Sequence, residues 1–134
     1  MMKTVMVVDD EEMTRAIIKK ILKRSGYEVI EVSNGSDALD MIKEISPDVV
    51  IMDMQMPDMD GFELAEKFRR SLYLPTNVPI LMLTGFFVDQ NMNRAGNCKI
   101  DAFMSKPFDM KELISTVAGL AAGESWKASN LSCN

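Results

Sequence analysis

Hydrophobic residues fall along this chain in two alternating rhythms. Thr4 to Val8 is an uninterrupted β-branched and apolar run that stops at Asp9 and Asp10, as expected of a strand buried on both faces. From Glu11 the spacing lengthens. Ile17, Ile18, Ile21 and Leu22 recur at helical intervals, and Lys23-Arg24-Ser25-Gly26 supplies basic last-turn residues and a glycine stop. Glu28 to Val32 predicts a second, short strand. Asn34 then caps a helix whose inward face is expected to be Ala38, Leu39, Ile42 and Ile45, ending before Pro47. Val49 to Met52 predicts a third buried strand, again closed by an aspartate, Asp53.

The second half repeats the pattern. Met54 to Asp60 holds Pro57 and several turn formers, and Asp60-x-x-Glu63 has the form of a capping box opening a helix with Phe62, Leu64, Ala65 and Phe68. Val78 to Leu83 predicts a fourth strand, with Pro79 tolerated only near its start and Thr84-Gly85 at its end. Phe86 to Ala95 predicts a weakly specified helix, diluted by Asn91 and Asn93. Asp101 to Met104 predicts a fifth strand, with Lys106-Pro107 beyond it. Asp109-x-x-Glu112 then caps a last helix carrying Leu113, Ile114, Val117 and Leu120, weakened at its end by Gly119 and Gly123.

Five strands alternating with five helices predict an α/β fold, a doubly wound parallel sheet with helices on both faces, because right-handed crossovers place them there. The 134 residues make one domain, expected over 1–122. Residues 123–134, polar except for Trp126 and Leu131, are expected to form a loose tail.

Composition and charge remove whole classes of function. With 47% of residues hydrophobic, disorder is excluded. A net charge of −5 argues against nucleic acid as a partner, since that grip depends on Lys and Arg neutralising several phosphates. The chain has no histidine, which excludes Ser-His-Asp triads, His-ligated zinc or haem, and a phosphohistidine of its own. Cys98 and Cys133 match no redox or zinc pattern and are expected to be unpaired thiols in a reducing compartment. No apolar run is long enough for a signal peptide or a membrane span, so a cytoplasmic protein without membrane insertion is expected.

In a doubly wound sheet function gathers at the carboxyl ends of the strands. Those ends carry Asp9 and Asp10, then Asp53, Thr84 and Lys106. Three carboxylates held together repel one another unless a cation sits among them, and hard oxygen ligands of this kind suit Mg²⁺. A divalent ion, a lysine ammonium and a hydroxyl together neutralise the oxygens of a phosphoryl group in transfer, and an aspartate is able to attack its phosphorus. Asp53, alone at the end of the central strand, is the best candidate. The plainer alternative is that Asp9-Asp10 caps the following helix and Thr84-Gly85 is an ordinary turn.

The segments Val7-Val8-Asp9-Asp10-Glu11, Asp48 to Gly61, Pro79 to Gly85 and Phe103-Met104-Ser105-Lys106-Pro107-Phe108 together resemble the response-regulator receiver domains of two-component signalling, over Lys3 to about Leu120. The resemblance implies a flavodoxin-like sheet of strand order 2-1-3-4-5. It implies that Asp53 accepts a phosphoryl group from a phosphohistidine on a sensor histidine kinase or histidine phosphotransfer protein. It further implies Mg²⁺, with Mn²⁺ as a substitute, bound by Asp9, Asp10, Asp53 and the backbone carbonyl of Gln55. Thr84 and Lys106 would contact the phosphoryl oxygens, and Phe103 would change rotamer together with Thr84. Two positions depart from the family pattern: Lys99 stands seven residues before the lysine where glycine is common, and Phe86, two residues after Thr84, is bulky.

On this reading the protein is a stand-alone signalling protein, not an enzyme acting on external substrates, and at most transfers phosphate to and from its own aspartate. Its output would be made by binding a downstream protein, such as a flagellar motor component in chemotaxis, a kinase or the next member of a phosphorelay. It is expected to be a monomer or a weak phosphorylation-dependent dimer. The rival readings are an interaction module that is never phosphorylated and an aspartate-nucleophile phosphatase, for which the short connections leave no room for a cap.

Overall fold

The computed structural model describes residues 2–73, 77–85 and 100–123. The helix expected over Phe86 to Ala95, the departures at Phe86 and Lys99, both cysteines, and Trp126 with the rest of 124–134 lie outside the described residues. Within them the order is β1 (Thr4–Val8), α1 (Glu12–Arg24), β2 (Glu28–Val32), α2 (Gly35–Met41), β3 (Val49–Asp53), α3 (Gly61–Arg70), β4 (Ile80–Thr84), β5 (Ala102–Ser105) and α4 (Met110–Ala121). All strand pairings are parallel, in the order β2-β1-β3-β4-β5. This is the doubly wound arrangement the alternation predicts.

Every residue of β3 and β4 is buried, and successive residues divide between two cores because strand side chains alternate. Met6, Val8, Val50, Met52, Ile80 and Met82 face α2 and α3, meeting Ala38, Phe62 and Phe68. Val5, Val7, Val49, Ile51, Leu81 and Leu83 face α1 and α4, meeting Ile18, Leu22, Leu113 and Val117. Each such buried aliphatic or aromatic side chain is worth about 2–3 kcal/mol of transfer free energy. A hydrophobic layer on each face therefore holds the strand ends level.

The helix ends follow the sequence signals closely. Asp60 accepts the Glu63 N–H at 2.8 Å and Asp109 that of Glu112 at 2.9 Å. Asn34 caps α2 through the Asp37 N–H. Gly26 stops α1 with φ +97°, a conformation costly for a residue with a Cβ, and its N–H donates to the Lys23 carbonyl.

Three local expectations shift. The second helix is shorter than the pattern suggests: α2 ends at Met41, and Lys43, Glu44 and Ile45 continue as turns bonded to Asp40 and Met41, with Ile42 still buried. The fourth strand begins at Ile80 because Val78 and Pro79 precede the ladder. Pro79, which has no N–H, still accepts the Val50 N–H through its carbonyl. Ile17 is 49% exposed and lines a groove with Ile21, Met110 and Ile114 instead of joining the core. No helix among the described residues is long and apolar enough to cross a membrane.

Candidate functional site

Parallel register brings the chemistry together. Val8 pairs with Met52, Asp53 with Leu83, and Thr84 with Ser105. Asp9, Asp53, Thr84 and Lys106 therefore emerge along one edge of the sheet although they come from four strands. Lys106 is held there by its own N–H, which donates to the Thr84 carbonyl at 2.8 Å.

Asp9 is fully buried. Its Oδ1 accepts the Glu11 N–H at 2.8 Å and its Oδ2 takes the Lys106 ammonium at 3.2 Å. Its backbone carbonyl accepts from Arg15 Nη1 at 2.6 Å, and Arg15 Nε reaches Glu31 Oε1 at 3.4 Å. The alternative role as a helix cap is not what forms, for Glu11 occupies the first-cap position of α1 without a side-chain cap bond.

Asp53 is only 7% exposed, and its Oδ1 accepts the Gln55 N–H at 3.3 Å while lying 3.4 Å from Lys106 Nζ. Burial, and after it the neighbouring Asp9 carboxylate, push the Asp53 carboxyl up to about 6, against the opposing pull of Lys106 and the Gln55 N–H. Burial alone would pull the Lys106 ammonium down, but the Asp9 and Asp53 carboxylates outweigh it and hold it above its ordinary value. The Asp9 and Asp53 carboxyls thus define an acid-rich site with the Lys106 ammonium set between them.

Asp10 is exposed and lines an open cleft of about 460 Å³ with Glu11, Asp53, Gln55, Met56 and Lys106. One oxygen from each of Asp9, Asp10 and Asp53 lies within 4.8 Å of the others. Three carboxylate oxygens at that spacing, beside an open cleft, fit a Mg²⁺-sized hard cation that takes its further ligands from solvent. Thr84 is fully buried at the tip of β4.

Phe103 is buried in the core layer shared with α2 and α3, where its ring meets Phe62 at 6.2 Å between centroids and 43° between planes. Sequence reasoning gave Glu11 no role. Its carboxylate nevertheless lies 3.7 Å from Lys106 Nζ and accepts the Thr14 hydroxyl at 3.0 Å. The only hint in sequence was a third acid directly after the aspartate pair.

The loop from Met54 to Asp60 forms the far wall. Its base is closed by the Gly61 N–H donating to the Met54 carbonyl at 2.7 Å. A Cβ at Gly61 would lie 2.7 Å from the Asp53 carbonyl oxygen, so glycine is required for α3 to start this close to the strand end. Asp58, near the loop tip, accepts from Gly35 and Ser36. Desolvation pushes its carboxyl up, but these N–H groups and the Ser36 hydroxyl together outweigh it and hold it below the ordinary carboxylate value.

Residues 5–118 match the family model of the response regulator receiver domain. The polar-differentiation response regulator DivK of Brucella anthropi is 34% identical over 119 residues, which cover 87% of this chain and 94% of DivK. Among solved structures, the chemotaxis response regulator CheY4 of Vibrio cholerae aligns with a TM-score of 0.83 at 30% identity, covering 90% of this chain and 99% of that one. A putative response regulator from Chloroflexus aurantiacus aligns with a TM-score of 0.83 at 29% identity, covering 91% and 99%.

Proposed function

The chain belongs to the response regulator receiver domain family, a signalling family, and on that premise we propose that Asp53 is its phosphoacceptor. The observation that carries this reading is the meeting of Asp53 with Asp9, Asp10 and Lys106 at one cleft. A phosphohistidine on a sensor kinase or phosphotransfer protein presents its phosphorus to the cleft, and an Asp53 oxygen attacks it. The new O–P bond forms as the N–P bond breaks, and the leaving imidazole nitrogen retains the electron pair and takes a proton from solvent.

Asp9, Asp10 and Asp53, with the backbone carbonyl of Gln55, would hold Mg²⁺, for which Mn²⁺ would substitute. When bound, the divalent ion would supply positive charge that offsets the charge of the transferring phosphoryl group. Lys106 and the Thr84 hydroxyl supply the remainder from the protein itself. The product adds about −1.5 to −2 charges beside Lys106. Thr84 moves toward the new oxygens, Phe103 follows, and the altered surface governs binding to a downstream protein. Residues 1–122 form the functional unit, cytoplasmic in location, transferring phosphate to and from its own aspartate without turning over an external substrate.

Intact-mass measurement after treatment with acetyl phosphate, with and without Mg²⁺, tests the reading. A single Mg²⁺-dependent phosphoryl adduct in the wild type, absent from Asp53→Ala, is expected. If no adduct forms, even with a phosphotransfer partner supplied, the reading as a phosphoacceptor fails and an unphosphorylated interaction module takes its place.

A further inference from the structure

The loop between β3 and α3 brings Gln55, Met56 and Pro57 to the cleft wall, whereas Asp58 takes no part in the proposed transfer. Its carboxylate is turned away to α2, where Oδ1 accepts the Gly35 N–H at 3.2 Å and Oδ2 the Ser36 N–H at 2.9 Å. These belong to the four N–H groups that open a helix without an intrahelical partner. Asn34 satisfies the next, that of Asp37, at 2.8 Å. Because α2 is only 7 residues long, too short to persist through its own hydrogen bonds, contacts of this kind decide whether its first turn is formed.

Met59 tightens the same junction. A Cβ placed on Gly35 would lie 2.6 Å from Met59 Cγ and 2.7 Å from Sδ, so the loop and the first turn of α2 are already in full contact. At its base the loop is closed by the bond from Gly61 to Met54. It is thus fixed at one end to the strand that carries Asp53 and at the other to α2.

From this double tether we infer that Asp58 is a positioning residue, clasping the first turn of α2 to fix the loop that presents the Gln55 carbonyl, and thereby linking cation occupancy of the cleft to the stability of α2. The inference rests on the cleft being a cation site, as proposed above. Linkage is reciprocal: if the clasp tightens cation binding, the cation must equally protect the clasped turn. Through it α2 acquires a means of reporting the state of the cleft.

The test titrates the full chain with Mn²⁺, following the free-ion electron paramagnetic resonance signal, in wild type, Asp58→Ala, Asp58→Asn, Gly35→Ala and the Asp58→Ala/Gly35→Ala double variant. Amide exchange of Gly35 and Ser36 is followed by NMR with and without Mg²⁺. Asp58→Ala weakens Mn²⁺ binding roughly 3- to 10-fold. Asp58→Asn removes the same charge but keeps an acceptor, and it recovers part of the loss. The difference between the two variants therefore measures the clasp and not the charge. Gly35→Ala, which presses on Met59 from the other side, weakens binding to a smaller degree, and the double variant is no worse than Asp58→Ala because both substitutions open the same junction between the loop and α2.

In the wild type Mg²⁺ slows exchange at Gly35 and Ser36, and in Asp58→Ala it does not. Equal Mn²⁺ affinity in wild type and Asp58→Ala, with exchange at Gly35 and Ser36 indifferent to Mg²⁺, would overturn the inference and leave Asp58 a plain helix cap while the cation site stands. A wild type that binds no Mn²⁺ overturns the cation site and the inference with it. Should Asp58→Ala fail to fold, Asp58→Asn and Gly35→Ala decide the matter in the same way.

Discussion

Lys106 reaches across the end of β4 to bring its Nζ within 3.4 Å of Asp53 Oδ1 on β3. Strands lie about 4.8 Å apart, so two strand spacings separate the backbones, a span that suits the long lysine side chain. The same ammonium is 3.2 Å from Asp9, and it is therefore a counter-charge shared by the two buried carboxylates.

Lys106→Ala removes that counter-charge and leaves Asp9 and Asp53 facing each other. The metal-free variant loses on the order of 1–3 kcal/mol of stability. It also gains more from Mg²⁺, because the divalent ion no longer competes with an ammonium for the same oxygens. Thermal denaturation at pH 7.5 with and without MgCl₂ checks both: a lower Tm without metal and a larger Mg²⁺-induced rise than in the wild type are expected.

Asp53→Asn has a pH signature whose sign is fixed by the raised carboxyl. A group whose folded pKa is raised from 3.8 to about 6 contributes its full share of stability below the unfolded value and loses it as the pH climbs through about 6. At neutral pH the wild type carries the whole deficit and the asparagine variant none. At about 1.4 kcal/mol for each tenfold change in proton affinity, the metal-free variant is more stable by on the order of 1–3 kcal/mol at pH 7.5. Urea denaturation of both proteins across pH 4 to 8, in EDTA, should show that advantage shrinking toward the acid end.

Gly61→Ala places a methyl group 2.7 Å from the Asp53 carbonyl oxygen and 2.5 Å from Met82 Sδ. Backbone on one side has no room to yield, so a loss of about 1–3 kcal/mol is expected, with reduced phosphorylation from the displaced strand end. Urea denaturation and the intact-mass assay read the two effects separately.

Asp101→Ala tests a clasp on the opposite edge of the sheet. One oxygen of Asp101 accepts both the Ile80 N–H at 2.8 Å and Arg69 Nη2 at 3.1 Å, binding α3 to the starts of β4 and β5. Its removal leaves the Ile80 donor unmatched and costs about 1–3 kcal/mol. Because the clasp lies at the amino ends of the strands, Mn²⁺ affinity should stay at the wild-type value.

Much of this was legible in the chain. The apolar runs of β1, β3 and β4 are buried on both faces, so they show as unbroken hydrophobic stretches, and the aspartates and threonine that end them mark the end of the sheet that carries the candidate site. Helix caps were legible because Asp60 and Asp109 act on groups three residues away. Pairings between distant segments were not. Asp58 with Gly35, Arg69 with Asp101 and Glu11 with Lys106 join elements that no local spacing relates. The early end of α2 and the exposure of Ile17 have a similar cause, since the first depends on how the chain approaches β3 and the second on where α4 lies across α1.

The Lys106 contact with Asp9 spans 97 residues and depends on β5, which among the described residues stands at the margin of the sheet and bonds to β4 alone. A chain grows from its amino end, and contacts of such long separation form slowly. The partly made molecule therefore has its carboxylates and an uncovered β4 edge before it has the lysine. Seating one short strand covers β4, leaves only the four-residue β5 at the margin, and delivers the ammonium in the same event. A molecule that has its lysine in place is, by construction, one whose sheet has been assembled through β5.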